Sequence, residues 1–221
     1  MLRMHRRTLL AAPLLLPAGH ALAQGQPPGQ ASGQPQPLTE RDRADIGRVE
    51  TYLNGLRSLK ARFLQIAQNG AAAEGTCWIV RPNRMRFEYD PPEPLLLVAS
   101  HGQFFYFDRE LKQASTVPVS STPLGMLLRD TLRLSGDVTV ARIERAGGLL
   151  RVTIFRTGKA QEGRLTLIFS ENPMELKQWA VVDAQGRETR VTLSQPEWGG
   201  RYDPFIFEFN DPRFREQLGI Q

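Results

Sequence analysis

The chain of 221 residues contains one cysteine and three histidines, and only Cys77 and His101 of these lie beyond the first 23 residues. One cysteine and one histidine are too few for a Cys/His zinc site or an internal disulfide. A Ser-His-Asp triad would have to use His101, in the turn Ser100-His101-Gly102. Three of the 28 basic residues are arginines at positions 3, 6 and 7, so the remainder has 25 basic and 23 acidic residues, which argues against nucleic-acid binding.

The acidic residues allow a pair of catalytic carboxylates on spacing alone, but most of them lie among arginines or in turns, as surface charges do. We therefore predict a protein that is not an enzyme, with no catalytic residues, no metal site and no cofactor. Cys77 lies beside Trp78 in a strand-like run, and we predict that it is a small buried apolar residue rather than a reactive thiol.

Residues 1–23 have the features of a signal peptide. Three arginines precede a short apolar stretch at 8–17, and Ala21-Leu22-Ala23 provides a small-x-small cleavage site. The apolar stretch is too short to span a bilayer, and Gln24 stands where a lipoprotein would need its acylated cysteine. We expect a soluble periplasmic protein. Arg6-Arg7 loosely resembles a twin-arginine signal, although the ordinary secretory route is favoured.

Residues 24–37 form a Gln/Pro/Gly-rich stretch that predicts a disordered linker, and residues 38–221 fit a single domain. The domain should begin with a helix. Thr39 and Asp42 have the spacing of an N-terminal cap, and Ile46, Val49, Leu53 and Leu56 recur at helical spacing up to the Asn54-Gly55 end signal.

After this helix the apolar period changes to two, which indicates strands. Met85, Phe87 and Tyr89 alternate with Arg86 and Glu88, for example. The candidate segments, separated by turn residues, are at 59–64, 75–81, 85–89, 95–100, 103–108, from 111 onward, 138–145, 149–156, 164–170, 176–183, 187–195 and 205–209. They predict roughly eleven strands. The pattern predicts one large antiparallel sheet curled on itself, and by itself it does not distinguish a filled interior from a hollow one.

One segment interrupts the strands. Ser121-Thr122-Pro123 provides a cap and a proline for a first helical turn, and an apolar run that includes Leu124, Met126, Leu127 and Leu128 follows. We predict a short helix that buries these side chains and acts as a lid.

Three stretches of the chain carry a family resemblance. They are Leu59 to Gln65, then Gly75 to Pro92 with its Arg-Pro-Asn turn and Asp-Pro-Pro end, then the aromatic run from Phe104 to Gln113. Together they resemble LolA, the periplasmic carrier of outer-membrane lipoproteins, and the similarity covers residues 40–215.

The resemblance implies a mainly β fold, an unclosed antiparallel barrel with an N-terminal helix and a short-helix lid, enclosing an apolar cavity. It implies a chaperone that takes the acyl chains of lipoproteins from an inner-membrane ABC-type release complex and delivers them to the outer membrane, to a receptor if one is present, and we expect a monomer. Arg81 matches the functional arginine of the family, and we interpret it as the latch that holds the lid through several backbone carbonyls. The acyl-chain cavity would be lined by Phe63, Trp78, Met85, Phe87, Tyr89, Phe105 and Phe107.

Other functions compete with this interpretation. A related lipid-binding or lipoprotein-sensing protein with the same fold would share these patterns without transferring proteins. An outer-membrane barrel is disfavoured by the predicted helices and by charges on many strand faces. A periplasmic hydrolase would need a constellation of catalytic residues that the sequence does not display.

Overall fold

The computed structural model describes residues 37–219. The predicted signal peptide, and all of the predicted linker except its last residue, lie outside the described residues. Helix α1 spans Glu40–Gly55, as the capping pattern predicts. The backbone N–H of Asp42 donates to Thr39 Oγ1 at 3.2 Å, and that of Thr39 donates to Asp42 Oδ2 at 2.9 Å. Each side chain thus accepts from a backbone amide that has no partner within the first turn of the helix.

Within residues 37–219, eleven strands follow α1 and form one antiparallel sheet. Their bounds are Ser58–Ala67 (β1), Ala72–Val80 (β2), Arg84–Tyr89 (β3), Leu95–Ser100 (β4), Gln103–Asp108 (β5), Gln113–Pro118 (β6), Val138–Ala146 (β7), Leu149–Arg156 (β8), Arg164–Glu171 (β9), Met174–Val182 (β10) and Glu188–Trp198 (β11). The spatial order is β6-β5-β4-β3-β2-β1-β11-β10-β9-β8-β7. Because β6 and β7 are the two edges, the sheet is not closed, as predicted.

The two faces of the sheet carry separate apolar clusters. On the inner face, side chains from most strands pack with α1 into one continuous cluster that includes Val49, Leu53, Phe63 and Phe87. On the outer face, β4 and β5 contribute Leu96, Val98, Phe105 and Phe107, which the C-terminal segment covers with Phe207, Phe209 and Phe214. Cys77 lies in the inner cluster and is fully buried, which confirms its predicted place in the core.

The C-terminal segment differs from the prediction. Residues 205–209 were expected to form a strand, but Pro204–Phe207 is a 3-10 helix, followed by helix α2 at Pro212–Gln217. Asp203 caps the 3-10 helix by accepting from the Phe205 N–H at 2.9 Å, and Pro204 has no N–H to donate to a neighbouring strand. The expected strand from Leu111 begins instead at Gln113, because Asp108 Oδ1 accepts from the amides of Glu110 and Leu111 and holds them in a turn.

Candidate functional site

The connection between the two edge strands forms the centre of the site. Residues 119–137, which we call the lid segment, link β6 to β7, and several of their apolar side chains belong to the inner-face cluster. These side chains are Val119, Met126, Leu127, Leu128, Leu132 and Leu134, with Leu124 packed against them and partly buried. The lid segment therefore packs on the inner face of the sheet, where its residues 123–128 lie close to β9 and β10.

Within this segment, Pro123–Leu128 forms the predicted short helix, in 3-10 geometry, which we call the lid helix. Thr122 caps it, since its Oγ1 accepts from the Gly125 N–H at 3.2 Å. Gly125 passes so close to the preceding turn that a Cβ there would lie 2.2 Å from the Val119 carbonyl oxygen. Met126, Leu127 and Leu128 are at most 2% exposed, so the lid helix is apolar on the side that faces the sheet.

Arg81 directly follows β2 and joins α1 to the lid segment. Its guanidinium donates to the carbonyl oxygens of Leu53 and Leu56 at the end of α1. The same group donates to the carbonyl oxygen of Arg129 from Nε at 2.9 Å, and to that of Asp130 from Nη2 at 3.1 Å. Four backbone acceptors from two separate segments thus converge on one side chain.

The electrostatics of Arg81 are unusual for an arginine. The side chain is buried, and it makes no ion pair within residues 37–219. Burial lowers the pKa of Arg81, the nearby Arg57 lowers it further, and Asp130 partly offsets both. Arg57 and Asp130 are exposed and lie 3.6 Å apart, so they pair with each other at the surface. The guanidinium is therefore held by the backbone dipoles of its four acceptors and not by a hydrogen-bonded carboxylate.

Two residues of α1 that sequence reasoning missed also hold the lid segment. The Asn54 side chain donates to the Leu132 carbonyl at 2.9 Å and accepts from the Leu132 N–H at 2.8 Å. Glu50 Oε1 accepts from the Leu134 N–H at 2.6 Å. Asn54 reads in the sequence only as a helix-end signal, and no local pattern shows that it bonds a backbone 78 residues away.

Four of the seven side chains predicted to line a cavity lie together on the inner face: Phe63, Met85, Phe87 and Tyr89. The ring of Phe63 lies 4.8 Å from that of Phe87 and 5.1 Å from that of Tyr89. Trp179, which sequence reasoning missed, joins them at 6.0 Å from Phe87 and is 1% exposed. These rings and the lid side chains belong to one packed cluster.

The other three predicted lining residues are not on this face. Phe105 and Phe107 belong to the outer cluster, and Trp78 packs against it. The physical reason is strand alternation: Cys77 and Ile79 occupy the inner face of β2, so Trp78 between them points outward. The assignment of Trp78, Phe105 and Phe107 to the cavity is therefore corrected. These three side chains pack in the outer cluster with the C-terminal segment.

Within residues 37–219, no three His, Cys, Asp or Glu side chains are grouped as metal ligands would be. His101 is exposed, and its Nε2 lies 2.8 Å from Glu208 Oε2 at the C-terminal segment. In the same range no helix has the length and apolar character needed to cross a bilayer.

The chain is similar in sequence to known proteins over most of its length. The family model described as "Outer membrane lipoprotein carrier protein LolA" matches residues 54–210. An outer-membrane lipoprotein carrier protein of Methylococcus capsulatus is 27% identical over 176 residues, covering 75% of this chain and 83% of the relative. An uncharacterized protein of Rickettsia prowazekii is 21% identical over 167 residues, covering 76% of this chain and 77% of the relative.

Among solved structures, a putative outer membrane lipoprotein-sorting protein domain from Vibrio parahaemolyticus aligns with a TM-score of 0.48 and 11% identity. The alignment covers 75% of this chain and 96% of that one.

Proposed function

This chain belongs to the LolA family of outer membrane lipoprotein carrier proteins, and on that premise we propose that it carries acylated lipoproteins across the periplasm. Its cargo would come from an inner-membrane ABC-type release complex and be delivered to the outer membrane, to a receptor where one is present. The protein would act as a monomer and without a cofactor.

The observation that carries this proposal is the bonding of Arg81 to both α1 and the lid segment. A carrier must cover its ligand completely and still release it. Burying an acyl chain is worth about 0.8 kcal/mol per CH₂ group, so one long chain contributes roughly 10 kcal/mol or more. A lid whose closing energy is well below that value opens when a chain enters and closes when it leaves.

The bonds of Arg81 supply a closing energy that is smaller than the sum of the individual bonds. A hydrogen bond to a charged group contributes about 1.5–3 kcal/mol, and the desolvation of the buried guanidinium offsets part of the sum. The acceptors are all backbone carbonyls, so opening exchanges them for water and leaves no unpaired acid behind. The latch is therefore strong enough to define a closed state and weak enough to yield to a ligand.

The ligand site that we propose is the inner face beneath the lid helix. In the closed state, Phe63, Met85, Phe87 and Tyr89 pack with Met126, Leu127 and Leu128 in one cluster. Removal of the lid side chains would expose an apolar surface, and acyl chains would then take their place against the same rings. A cavity of this kind is created by opening, since the lid side chains fill the space when no ligand is bound.

Mass spectrometry of the material that co-purifies with the protein from a periplasmic extract tests this function. We expect lipoproteins with intact acyl chains, and we expect them to move from the complex to isolated outer membranes. Recovery of free lipid alone, with no lipoprotein and no transfer, would indicate instead a lipid-binding member of the same fold that does not ferry proteins.

A further inference from the structure

The inner face is apolar almost throughout, and a polar pair within it is therefore informative. Tyr89 on β3 belongs to this face, and Gln65 shares it because it follows Phe63 by two residues on β1. The Tyr89 hydroxyl donates to Gln65 Oε1 at 2.8 Å. Tyr89 is only 7% exposed, and its ring packs edge-on against Phe63. The pair thus adjoins the aromatic side chains that would contact acyl chains.

The hydrogen bond from Tyr89 uses only the oxygen of the Gln65 amide. Among residues 37–219, no acceptor receives a hydrogen bond from Gln65 Nε2. Because the oxygen is held by Tyr89, the amide has a preferred orientation, and its two N–H donors are directed away from that bond. A partly buried amide with free donors is suited to a ligand that brings a hydrogen-bond acceptor.

The charges around this pair favour a neutral hydrogen-bond acceptor over an anionic one. Burial raises the pKa of Tyr89, its bond to Gln65 lowers it, and the negative charge of Glu93 raises it again, so the hydroxyl stays neutral. No Lys, Arg or His side chain in the described part of the chain hydrogen-bonds to either member of the pair. An anionic group would be desolvated here near Glu93 without a cation, which is unfavourable.

We propose that Gln65, oriented by Tyr89, donates to the neutral carbonyl oxygen of an acyl ester or acyl amide and so selects such ligands over free fatty acids. This inference rests on the proposed function, since it concerns the part of the ligand where acyl chains join the polar portion. A lipoprotein carries its chains on ester and amide carbonyls, whereas a free fatty acid presents a carboxylate.

Calorimetric titration of the purified full chain with monolaurin and with laurate, both below the concentrations at which they aggregate, tests the proposal. The two probes share a twelve-carbon acyl chain, which ends in a neutral glyceryl ester in monolaurin and in a carboxylate in laurate. We expect monolaurin to bind about tenfold more tightly than laurate. In Gln65→Leu we expect monolaurin to bind about three- to tenfold more weakly, the effect of one hydrogen bond, with laurate unchanged.

Two further variants complete the experiment. Tyr89→Phe keeps the ring and removes the hydroxyl that orients Gln65, so it should weaken monolaurin binding by about two- to threefold and remains informative if Gln65→Leu folds poorly. Gln178→Leu is the matched control, because Gln178 donates to Thr192 Oγ1 on the outer face and should have wild-type affinities.

Equal affinity of the wild type for both probes, or equal losses for both probes in Gln65→Leu, would overturn the proposal. Failure of the proposed function has a different signature. In that case the wild type would bind monolaurin selectively and yet capture no acylated lipoprotein.

Discussion

The side-chain amide of Asn54 and the backbone of Leu132 exchange a pair of hydrogen bonds, at 2.9 and 2.8 Å. This pair joins the last turn of α1 to the lid segment, on which Arg81 also converges. In the proposed mechanism, helix α1 is therefore the fixed side of the closure, and the lid segment is the side that moves away.

Replacing Asn54 should loosen the lid segment without unfolding the sheet. In Asn54→Ala the carbonyl and the N–H of Leu132 each lose a hydrogen bond. This loss should cost about 1–3 kcal/mol of stability and speed hydrogen exchange in residues 123–134. Gln68→Ala, at an exposed turn position, is the control and should exchange like the wild type. Unchanged exchange in Asn54→Ala would contradict the role of α1 in closure.

Gly125→Ala should open the lid helix by a steric route. The added Cβ would lie 2.2 Å from the Val119 carbonyl oxygen, so the lid helix must shift, at about 1–3 kcal/mol. Limited proteolysis should then cut residues 119–134 faster. Gly47→Ala is the control, since a Cβ at this exposed helical position meets nothing within 4 Å, and it should leave the cleavage rate unchanged or slower. Equal cleavage of both variants would argue against tight packing at Gly125.

The two sheet faces should respond differently to a matched pair of substitutions. Phe87 on the inner face and Phe105 on the outer face are each 2% exposed, so Phe87→Ala and Phe105→Ala should each cost about 3–5 kcal/mol of stability. Only Phe87→Ala should weaken binding of a fluorescent acyl probe at a temperature where both variants stay folded. A larger binding loss in Phe105→Ala would mean that the ligand occupies the outer face.

The acid sensitivity of the fold should depend in part on Asp42. The hydrogen bond from the Thr39 amide, with further help from Arg145 and the Thr39 hydroxyl, lowers the pKa of Asp42 to about 2. A carboxyl whose pKa is lowered on folding stabilises the protein above its unfolded pKa of about 4, and this stabilisation is lost as the pH falls toward the folded value.

Urea unfolding of the wild type and of Asp42→Asn at several pH values measures this contribution. The difference in free energy of unfolding should be largest above pH 4 and should shrink as the pH approaches about 2. Glu110→Gln, in an exposed loop, should follow the wild type throughout. If the difference in free energy of unfolding did not change with pH, the effect of Asp42→Asn would come from lost helix capping alone.

Much of this fold was predictable from local sequence patterns, because those patterns reflect interactions between residues that are close in sequence. The Thr39–Asp42 cap, the alternation of Met85, Phe87 and Tyr89, and the short helix after Thr122 all follow from bonds or burial within a few residues. The family resemblance added Arg81, whose position at a strand end does not itself indicate four carbonyl partners.

The errors arose where both faces of a strand are buried. Strand β5 has Phe104 in the inner cluster and Phe105 and Phe107 in the outer one, so alternation could not show which set faces the lid. The outer cover is the C-terminal segment, and its aromatic run was itself misread as a strand. The Asp203-Pro204 pair preceding that run is the signal that favours a capped helical turn.

The most direct test of the latch is lipoprotein transfer by Arg81→Leu. Loss of the bonds to Leu53, Leu56, Arg129 and Asp130 removes the driving force for closing the empty protein. Arg81→Lys keeps a charge but lacks the planar fork that reaches both segments, so it should fall between the wild type and Arg81→Leu. Arg190→Leu, an exposed arginine on β11, is the control and should transfer normally.

The deciding measurement is the amount of lipoprotein that each variant binds and then passes to isolated outer membranes. We predict that Arg81→Leu retains bound lipoprotein at the wild-type level and that its transfer falls at least about tenfold, because release no longer gains the energy of closing. Transfer by Arg81→Leu at the wild-type rate would contradict the latch and, with it, the account of how this carrier releases its cargo.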